Sequence, residues 1–539
     1  MIRPAVAGLA VLGLLAAAPA DAAPVHAHPP NASHVLLLSI DGLHQQDLDW
    51  YVRTHPDSTL ARLTGSGTSY RDAATPYPSD SFPGMLAQVT GGDPRTTGIY
   101  YDDTWNAALL PAGTTTCAGA KPGAEVDYAE PADRDSSRLD AGQGLAGLPG
   151  SILSLTGSPE QLLDPASLPV DPATCAPVYP HQYLKVNTVF EVARRHGLVT
   201  AWSDKHPAYD VLQGPSGAGI QDLFTPEVNS TADAAGHDWT QVNRLTQQYD
   251  GYKVQAVLNQ IDGYDHSRSI KLGTPAVFGM NFQTVSTAQK LPTSDGQAGG
   301  YLADGRTPGP VLSAALDFVD AQLGRFTAEL AQQHLAGRTT IIVSAKHGQS
   351  PTDPAQLTRI DDGAIIDGLN AAWTAAGHTG DLVAFAVDDD TMLIWLTDRS
   401  PAATAFARSF LLHHDGTGND ITGAAKPYTA SGLSRVYAGA SAAAFIGVHP
   451  GDARVPDLIG IAQPGVVYTA KKSKIAEHGG DAPADRHVPI VVSGAGVARG
   501  TVDAPVETTQ IAPTILRLLG LDPRELDAVR IQHTPVLPG

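Results

Sequence analysis

Short apolar runs alternate with amphipathic helical segments along most of this chain of 539 residues. The first run, HVLLLSI at residues 34–40, is followed by LVTAWS, TPAVFGMNF and TTIIVS, and the stretches between them carry apolar residues at helical spacing. Strands separated by such helices form a mostly parallel sheet that is covered on both faces. The sequence therefore predicts an α/β fold in which helices sandwich a mostly parallel sheet.

Two stretches depart from this alternation. Residues 103–181 are rich in Pro, Gly, Ala and Asp and have weak periodicity, which predicts an irregular insertion. This insertion contains Cys117 and Cys175, the only cysteines, and in an exported chain a lone pair most simply forms one disulfide. Residues 355–469 mix strand candidates with other patterns and predict a smaller inserted subdomain. Both stretches belong to one predicted domain of residues 31–539.

The first 23 residues predict a secretory signal peptide. They combine a short basic start, an apolar stretch without charges and small residues around Ala20 and Ala22. Cleavage near Ala23 would release a secreted protein, extracellular or periplasmic. A membrane anchor is the competing interpretation, but the apolar stretch is short and no positive charge follows it.

The charge balance restricts the class of partner. The formal net charge is -20 and the isoelectric point is near 5.2. Nucleic acids and anionic membranes are bound by clustered Lys and Arg, so this balance argues against both. After the signal peptide the sequence has no segment long and apolar enough to span a bilayer. The expected partner is a small molecule.

Polar residues follow four of the predicted strands, namely Asp41, Asp204, Asn281 and His347. In parallel sheets the loops after the carboxyl ends of the strands carry the functional site. Ser81 opens the predicted helix SFPGMLAQVT, where it serves either as a helix N-cap or as a nucleophile beside the amide groups of the helix start. These positions predict one site at the rim of the sheet.

The order of Asp41, Ser81 in SDSFPG, His347 in AKHG and His478 in EHGGD resembles the alkaline phosphatase superfamily. The likeness is greatest to its type I phosphodiesterase/nucleotide pyrophosphatase branch and spans nearly the whole mature chain. It implies an alkaline phosphatase-like hydrolase core with two zinc ions about 4 Å apart, where a Thr or Ser alkoxide attacks phosphorus. It also implies that Ser81 is the nucleophile and that Asp41, His347 and His478 are metal ligands.

Several positions depart from the pattern of that family. Lys346 stands where the family has the Asp of an Asp–His pair, and Val285 and Gln289 replace another Asp and His. Asp102 falls at the position of an asparagine that helps to hold the phosphoryl oxygens. Valine has no donor atom, glutamine is a poor zinc ligand and a protonated lysine repels a cation. We therefore expect either one divalent cation, with zinc as the first choice, or none.

Lys346 is the sharpest of these departures. Its ammonium group would supply the positive charge of a zinc ion, held by Asp41 and Asp102 and facing the substrate anion. With a lowered pKa it would instead act as the base for Ser81, in a Ser–Lys arrangement. The alternative is a salt bridge that only fills the space of the missing ligand.

The sequence thus predicts a secreted hydrolase that cleaves a phosphate ester, a phosphodiester or a related small anionic ester through Ser81. Lys346 would stabilise anionic charge, and His478 would protonate the leaving group. The residues expected to bind substrate are Asp102, Asn281 and Gln289. Two alternatives stay open: a metal-independent Ser–Lys hydrolase or transferase acting on a non-phosphate ester, and a non-catalytic ligand-binding protein on the same fold.

Overall fold

The structure is a computed structural model that describes Met1, residues 31–470 and residues 473–539. Apart from Met1, the predicted signal peptide of residues 1–23 lies outside the described residues. Within the described ranges, none of the helices has the length and apolar character that are needed to cross a membrane.

A sheet of eight strands forms the centre of the fold, and its strands are numbered here in chain order. They are β1 (His34–Ile40), β2 (Thr68–Tyr70), β3 (Ala201–Ser203), β4 (Asp222–Phe224), β5 (Val277–Phe282), β6 (Thr339–Ser344), β7 (Ile490–Gly494) and β8 (Gly500–Val502). Their order across the sheet is β8-β2-β7-β6-β1-β5-β3-β4. The strands from β6 to β4 run parallel, whereas β7 is antiparallel to both neighbours. The predicted mostly parallel sheet is confirmed.

The unbroken apolar run of β1 is explained by burial on both faces. Val35 and Leu37 point into one apolar core, whereas Leu36 and Leu38 point into another on the opposite side of the sheet. Successive side chains of a strand alternate between faces, so a strand covered on both sides needs apolar residues at every position.

Helices cover both faces of this sheet, as predicted. Those that pack on the side of Val35 include Ser81–Thr90, Val189–Arg195 and Ile511–Leu518. Those on the side of Leu36 include Gln45–Thr54, Thr59–Ser66, Asn243–Ile261, Thr284–Lys290 and Pro310–Gln332. Other α-helices are Pro94–Thr97, Pro180–Tyr183, Asp362–Ala375, Pro401–His413, Ala440–Ile446, Pro483–Arg486 and Asp527–Gln532.

The segment 103–181 contains little regular structure. One short hairpin pairs Asp103–Asn106 with Ala124–Asp127, and isolated turns of 3-10 helix follow it. A disulfide joins Cys117 to Cys175, so the predicted pairing is confirmed. The bounds of the insertion stay a prediction.

Reduction of this disulfide is expected to lower the free energy of unfolding by about 2–4 kcal/mol. The bond closes a loop between residues 58 positions apart, and opening that loop restores chain entropy to the unfolded state. Urea unfolding with and without a reductant measures the loss, and a Cys117→Ser/Cys175→Ser double variant should match the reduced protein. A loss below about 1 kcal/mol would contradict the prediction.

The segment 355–469 has its own strands and its own buried apolar cluster. One sheet consists of Thr358–Ile360, Gly416–Asn419, Ala425–Tyr428 and Val466–Tyr468, and a second consists of Val383–Asp388, Thr391–Leu396, Leu433–Ala438 and Leu458–Ala462. The short pairs elsewhere are Ala73–Ala74 with Val506–Glu507, and Thr293–Ser294 with Gln297–Ala298. A separate core of this kind is what an inserted subdomain would have, although its bounds stay a prediction.

Candidate active site

The carboxyl ends of adjacent parallel strands bring several polar side chains together. Asp41 follows β1, Asp204 follows β3, Asn281 lies near the end of β5, and Lys346 lies just after β6. The amide Nδ2 of Asn281 donates to Oδ2 of Asp41 at 3.3 Å, and Nζ of Lys346 donates to Oδ1 of Asp204 at 3.0 Å. The strand ends selected from the sequence therefore lie in one cluster.

Ser81 is the first residue of the helix Ser81–Thr90, and it does not cap that helix. The cap is Asp80, whose carboxylate accepts a hydrogen bond from the backbone N–H of Phe82 at 3.0 Å. The buried Ser81 hydroxyl instead lies 3.2 Å from Nε2 of His347 and accepts a hydrogen bond from Nζ of Lys205 at 2.9 Å. Its side-chain contacts are therefore with a base and a cation rather than with the backbone of the helix.

The hydrogen bonds of His347 fix which ring nitrogen carries the proton. Nδ1 lies 3.0 Å from the carbonyl oxygen of Gly348, which can only accept, so Nδ1 is the donor. Nε2 then has a free lone pair toward the hydroxyl of Ser81. Burial lowers the pKa of His347 to about 3, against the opposing charge of Asp41. The neutral ring is therefore placed as a general base for Ser81.

Lys205 provides the ammonium group that contacts the Ser81 hydroxyl. Besides its hydrogen bond to Ser81, its Nζ lies 3.8 Å from Oδ2 of Asp41. Burial opposes the charge, but Asp41, Asp102 and Asp80 raise the pKa of Lys205 above its ordinary value. Lys205 is not among the candidate residues named from the sequence. Its position directly after Asp204, at a strand end, was the available signal.

Lys346 is fully buried and approaches the same oxygen of Asp41 as Lys205 does. Its Nζ donates to Asp204 and, at 2.6 Å, to the hydroxyl of Tyr209, and it lies 3.9 Å from Oδ2 of Asp41. The predicted contact with Asp41 is present, whereas Asp204 takes the place predicted for Asp102. Burial lowers the pKa of Lys346. Neither hydrogen bond reaches Ser81, so the geometry favours Lys346 as a charge partner for buried carboxylates over a base.

Replacement of Lys346 by Met is expected to lower the free energy of unfolding by about 3–5 kcal/mol. The change leaves Asp204 and Asp41 buried with one cation fewer, and unpaired buried charge is strongly destabilising. Urea unfolding of Lys346→Met checks this value. The Lys346→Met/Asp204→Asn double variant should recover part of the loss, and a single-variant loss below about 1 kcal/mol would refute the assignment.

The three residues predicted to bind substrate occupy different places. Asn281 contacts Asp41, and Asp102 lies near enough to raise the pKa of Lys205. Gln289 lies behind the strand-end turn, where its Nε2 donates to the carbonyl of Gly42 at 2.8 Å and its Oε1 accepts from Gln349 at 2.9 Å. Substrate binding stays a prediction for all three residues, and the amide of Gln289 is already used within the protein.

His478 forms a second pair with Asp80. Its ring lies 4.1 Å from that of His347, centroid to centroid, and its Nδ1 lies 3.7 Å from Oδ2 of Asp80. Neither of these two atoms has a hydrogen-bond partner among the described residues. Burial lowers the pKa of His478 well below its usual value, and burial with the charge of Asp102 raises that of Asp80. Both shifts favour the uncharged forms of the two groups.

The side chains around Asp41 do not fit a zinc ion. Its Oδ2 accepts hydrogen bonds from the amides of Asn281 and Gln283, and the ammonium groups of Lys205 and Lys346 lie 3.8 and 3.9 Å from it. Metal ligands must offer lone pairs, whereas these four groups offer protons, and two of them repel a cation. The expectation that Asp41 is a metal ligand therefore receives no support from its surroundings.

His478 also belongs to an acidic group with Asp389 and Glu477, whose ligand atoms lie within 4.8 Å of one another. Glu477 is already paired with Lys290 at 2.6 Å and with Lys474. Two ammonium groups therefore balance the charge that a cation would balance, and this group also fits a metal ion poorly.

Solved structures of known proteins share the fold. Murine ectonucleotide pyrophosphatase/phosphodiesterase 5 is 13% identical with a TM-score of 0.54, over 90% of this chain and 95% of that one. Its inactive threonine-to-alanine variant in complex with AMP is 13% identical with a TM-score of 0.53, over 91% of this chain and 95% of that one. A mutant of the alkaline phosphatase PafA is 14% identical with a TM-score of 0.56, over 91% of this chain and 96% of that one. At these identities the likeness confirms the alkaline phosphatase-like fold and nothing finer.

Family membership is decided by the sequence. None of the curated proteins matches the chain significantly. The sequence profile of the type I phosphodiesterase/nucleotide pyrophosphatase family, by contrast, matches residues 35–483, a range that includes Asp41, Ser81, His347 and His478. The chain therefore belongs to the type I phosphodiesterase/nucleotide pyrophosphatase family, and it is a hydrolase that acts on ester bonds.

Proposed function

We propose that the protein hydrolyses small phosphate esters or phosphodiesters through Ser81, with His347 as the base and Lys205 in place of a catalytic metal. The observation that carries this proposal is the pair of contacts at the Ser81 hydroxyl, 2.9 Å to Nζ of Lys205 and 3.2 Å to Nε2 of His347. The inactive threonine-to-alanine variant of the murine relative, solved with AMP, supports a hydroxyl nucleophile and a small anionic ligand.

The first half-reaction transfers the phosphoryl group to Ser81. The hydroxyl proton passes to Nε2 of His347 while Oγ forms a bond to phosphorus. The bond between phosphorus and the leaving oxygen breaks with its electron pair. That oxygen takes a proton from His478, which recovers one from Asp80, whose neutral form burial favours, once the two groups close from 3.7 Å to hydrogen-bond distance. The ammonium group of Lys205 stabilises the negative charge that develops around Oγ.

The second half-reaction consumes one water molecule. The water oxygen bonds to phosphorus while its proton returns through His478 to Asp80. The bond between phosphorus and Oγ of Ser81 breaks, and the imidazolium of His347 returns its proton to Oγ. The products are an alcohol and a phosphate or phosphomonoester, and every side chain regains its starting protonation state.

The pH profile of kcat/KM is expected to lack the fall below about pH 6.5 that a histidine base with an ordinary pKa causes. A base with an ordinary pKa of about 6.5 loses activity about tenfold for each pH unit below that value. His347 acts in its neutral form. Because its pKa is lowered to about 3, activity should fall only as the pH approaches that value. The kcat/KM for bis(p-nitrophenyl) phosphate, which does not titrate in this range, should stay nearly constant from about pH 7 to about pH 5. A limb centred near pH 6.5 would count against His347 as the base.

A panel of four aryl substrates tests the substrate class. It contains bis(p-nitrophenyl) phosphate, p-nitrophenyl phosphate, p-nitrophenyl sulfate and p-nitrophenyl acetate, with Ser81→Ala protein as the blank. We expect Ser81-dependent turnover to be fastest on one of the two phosphorus substrates. Ser81-dependent turnover of the acetate alone would favour a non-phosphate esterase, and no turnover at all would favour a ligand-binding protein.

We further propose that the chain is exported. The disulfide between Cys117 and Cys175 supports this because such bonds persist in oxidising compartments. The predicted signal peptide points the same way. Secreted or periplasmic protein should begin near Ala23 on N-terminal sequencing, and retention of Met1 would refute the predicted cleavage.

A further inference from the structure

A second cluster of acids lies outside the proposed nucleophile site, where segment 103–181 meets the loops after β3 and β4. Its members are Glu130, Asp133, His206 and Glu227. One potential ligand atom from each of Glu130, His206 and Glu227 lies within 4.8 Å of the others. Nδ1 of His206 lies 2.8 Å from Oε2 of Glu227. That contact is a hydrogen bond, and the wider spacing of the three ligand atoms, within 4.8 Å, is close enough for one ion to reach them all.

Three of the four members are buried, Glu130 is partly exposed, and the cluster carries little balancing charge. Glu227 is 0% exposed, His206 is 5% exposed and Asp133 is 7% exposed. Over residues 31–470 and 473–539, no lysine or arginine forms a salt bridge with Glu130, Asp133 or Glu227. Lys205, whose charge acts on Glu227, is itself engaged by Ser81 and Asp41. Burial of unbalanced carboxylates is costly, so this group needs either protons or a cation.

Asp133 gives an independent indication of a ligand. Both oxygens of its carboxyl group are buried without a hydrogen-bond donor among the described residues. The charges that act on it most strongly are those of Glu227 and then Glu130. A buried carboxyl group that faces two others and has no donor needs either a proton shared with Glu227 or a cation bound among the three.

We infer that Glu130, Asp133, His206 and Glu227 bind a divalent cation. An imidazole combined with carboxylates suits zinc or manganese better than the all-oxygen sites that calcium and magnesium prefer. Glu130 and Asp133 come from the insertion, whereas the other two ligands follow the strands β3 and β4. The cation would therefore attach the insertion to the rim of the sheet, next to the loop that carries Lys205.

Protonation of the acids is the competing explanation. Without a cation, burial raises the pKa of Asp133 to about 11 and that of Glu227 to about 8. Protons and a cation differ in one measurable respect. A proton-balanced cluster takes up no metal, whereas a metal site gains stability when the ion is added.

The test uses the full-length protein, stripped with a chelator, dialysed and then titrated with zinc, manganese or calcium chloride. Elemental analysis should find about one zinc or manganese ion per chain at this site, and the Tm should rise by roughly 3 °C or more. Asp133→Asn and Glu227→Gln should lose both the ion and the Tm shift. Glu125→Gln, an exposed acid of the same insertion, should keep both.

The stripped forms show whether the variants are merely unfolded. Asp133→Asn and Glu227→Gln each remove a buried acid, so without metal they should melt no lower than the stripped wild-type protein. The inference is overturned if the wild-type protein takes up no divalent ion. It is also overturned if the ion and the Tm shift survive in both Asp133→Asn and Glu227→Gln.

Discussion

Ser81→Ala is expected to lower kcat for the preferred phosphorus substrate by on the order of 10⁴-fold or more. The change removes the atom that bonds to phosphorus, and neither Lys205 nor His347 can take its place at the start of the helix. The helix itself should remain intact, because its cap is Asp80. Steady-state kinetics measures the loss in kcat, at enzyme concentrations high enough that the activity of any contaminating phosphatase is negligible.

Ser344→Ala is the matched control for that experiment. Ser344 is a buried serine at the end of β6, and its hydroxyl has no hydrogen-bond partner among the described residues. Its removal should leave kcat within about twofold of the wild-type value, since no contact is lost. If Ser81→Ala keeps more than a tenth of the wild-type kcat, the nucleophile is another group.

Lys205→Met is expected to lower kcat by about 10²–10³-fold, because it removes one charged donor from the oxygen on which negative charge develops. KM should change less than kcat, since the interaction strengthens in the transition state. Parallel measurements on Lys205→Met and the wild-type protein give both constants.

Lys205→Arg separates charge from packing in the same experiment. It keeps the positive charge beside Asp41 and should recover part of the lost kcat. If Lys205→Met loses less than tenfold in kcat, Lys205 does not stabilise the transition state, and the assignment of its role is wrong.

Much of the fold follows from local sequence pattern. The apolar run at residues 34–40 has no polar interruption, and such a run suits only a strand that is covered on both faces. A similar argument holds for the shorter apolar runs inside β5 and β6, at residues 277–280 and 341–343, whose strand ends also carried the candidate residues. The insertion at 103–181 was less predictable in detail, because its chain direction is set by turns and by the disulfide rather than by periodicity.

The site was predictable to the level of the strand ends but not to the level of individual contacts. Asp41, Ser81 and His347 were found from their order and their places at the sheet rim. Which amine reaches Oγ depends on the reach of side chains across neighbouring strands, so the sequence could not distinguish Lys346 from Lys205. The contact proposed between Lys346 and Asp102 was wrong for the same reason.

The residues of the proposed cation site could not be predicted from the sequence either. Asp133 lies in an aperiodic stretch, whereas His206 and Glu227 follow two different strands. Their proximity depends on how the insertion folds back onto the sheet, and no local spacing encodes that path. Only three-dimensional placement brings these side chains together.

The most direct test of the central claim measures hydrolysis of the preferred phosphorus substrate by protein stripped of zinc and manganese, below the melting temperature of the stripped form. Elemental analysis of the same sample establishes the removal. The account predicts that kcat/KM stays within about twofold of the untreated value, because Lys205 supplies the charge at Ser81. Loss of turnover on stripping, with recovery on zinc addition in both wild-type and Asp133→Asn protein, would contradict it.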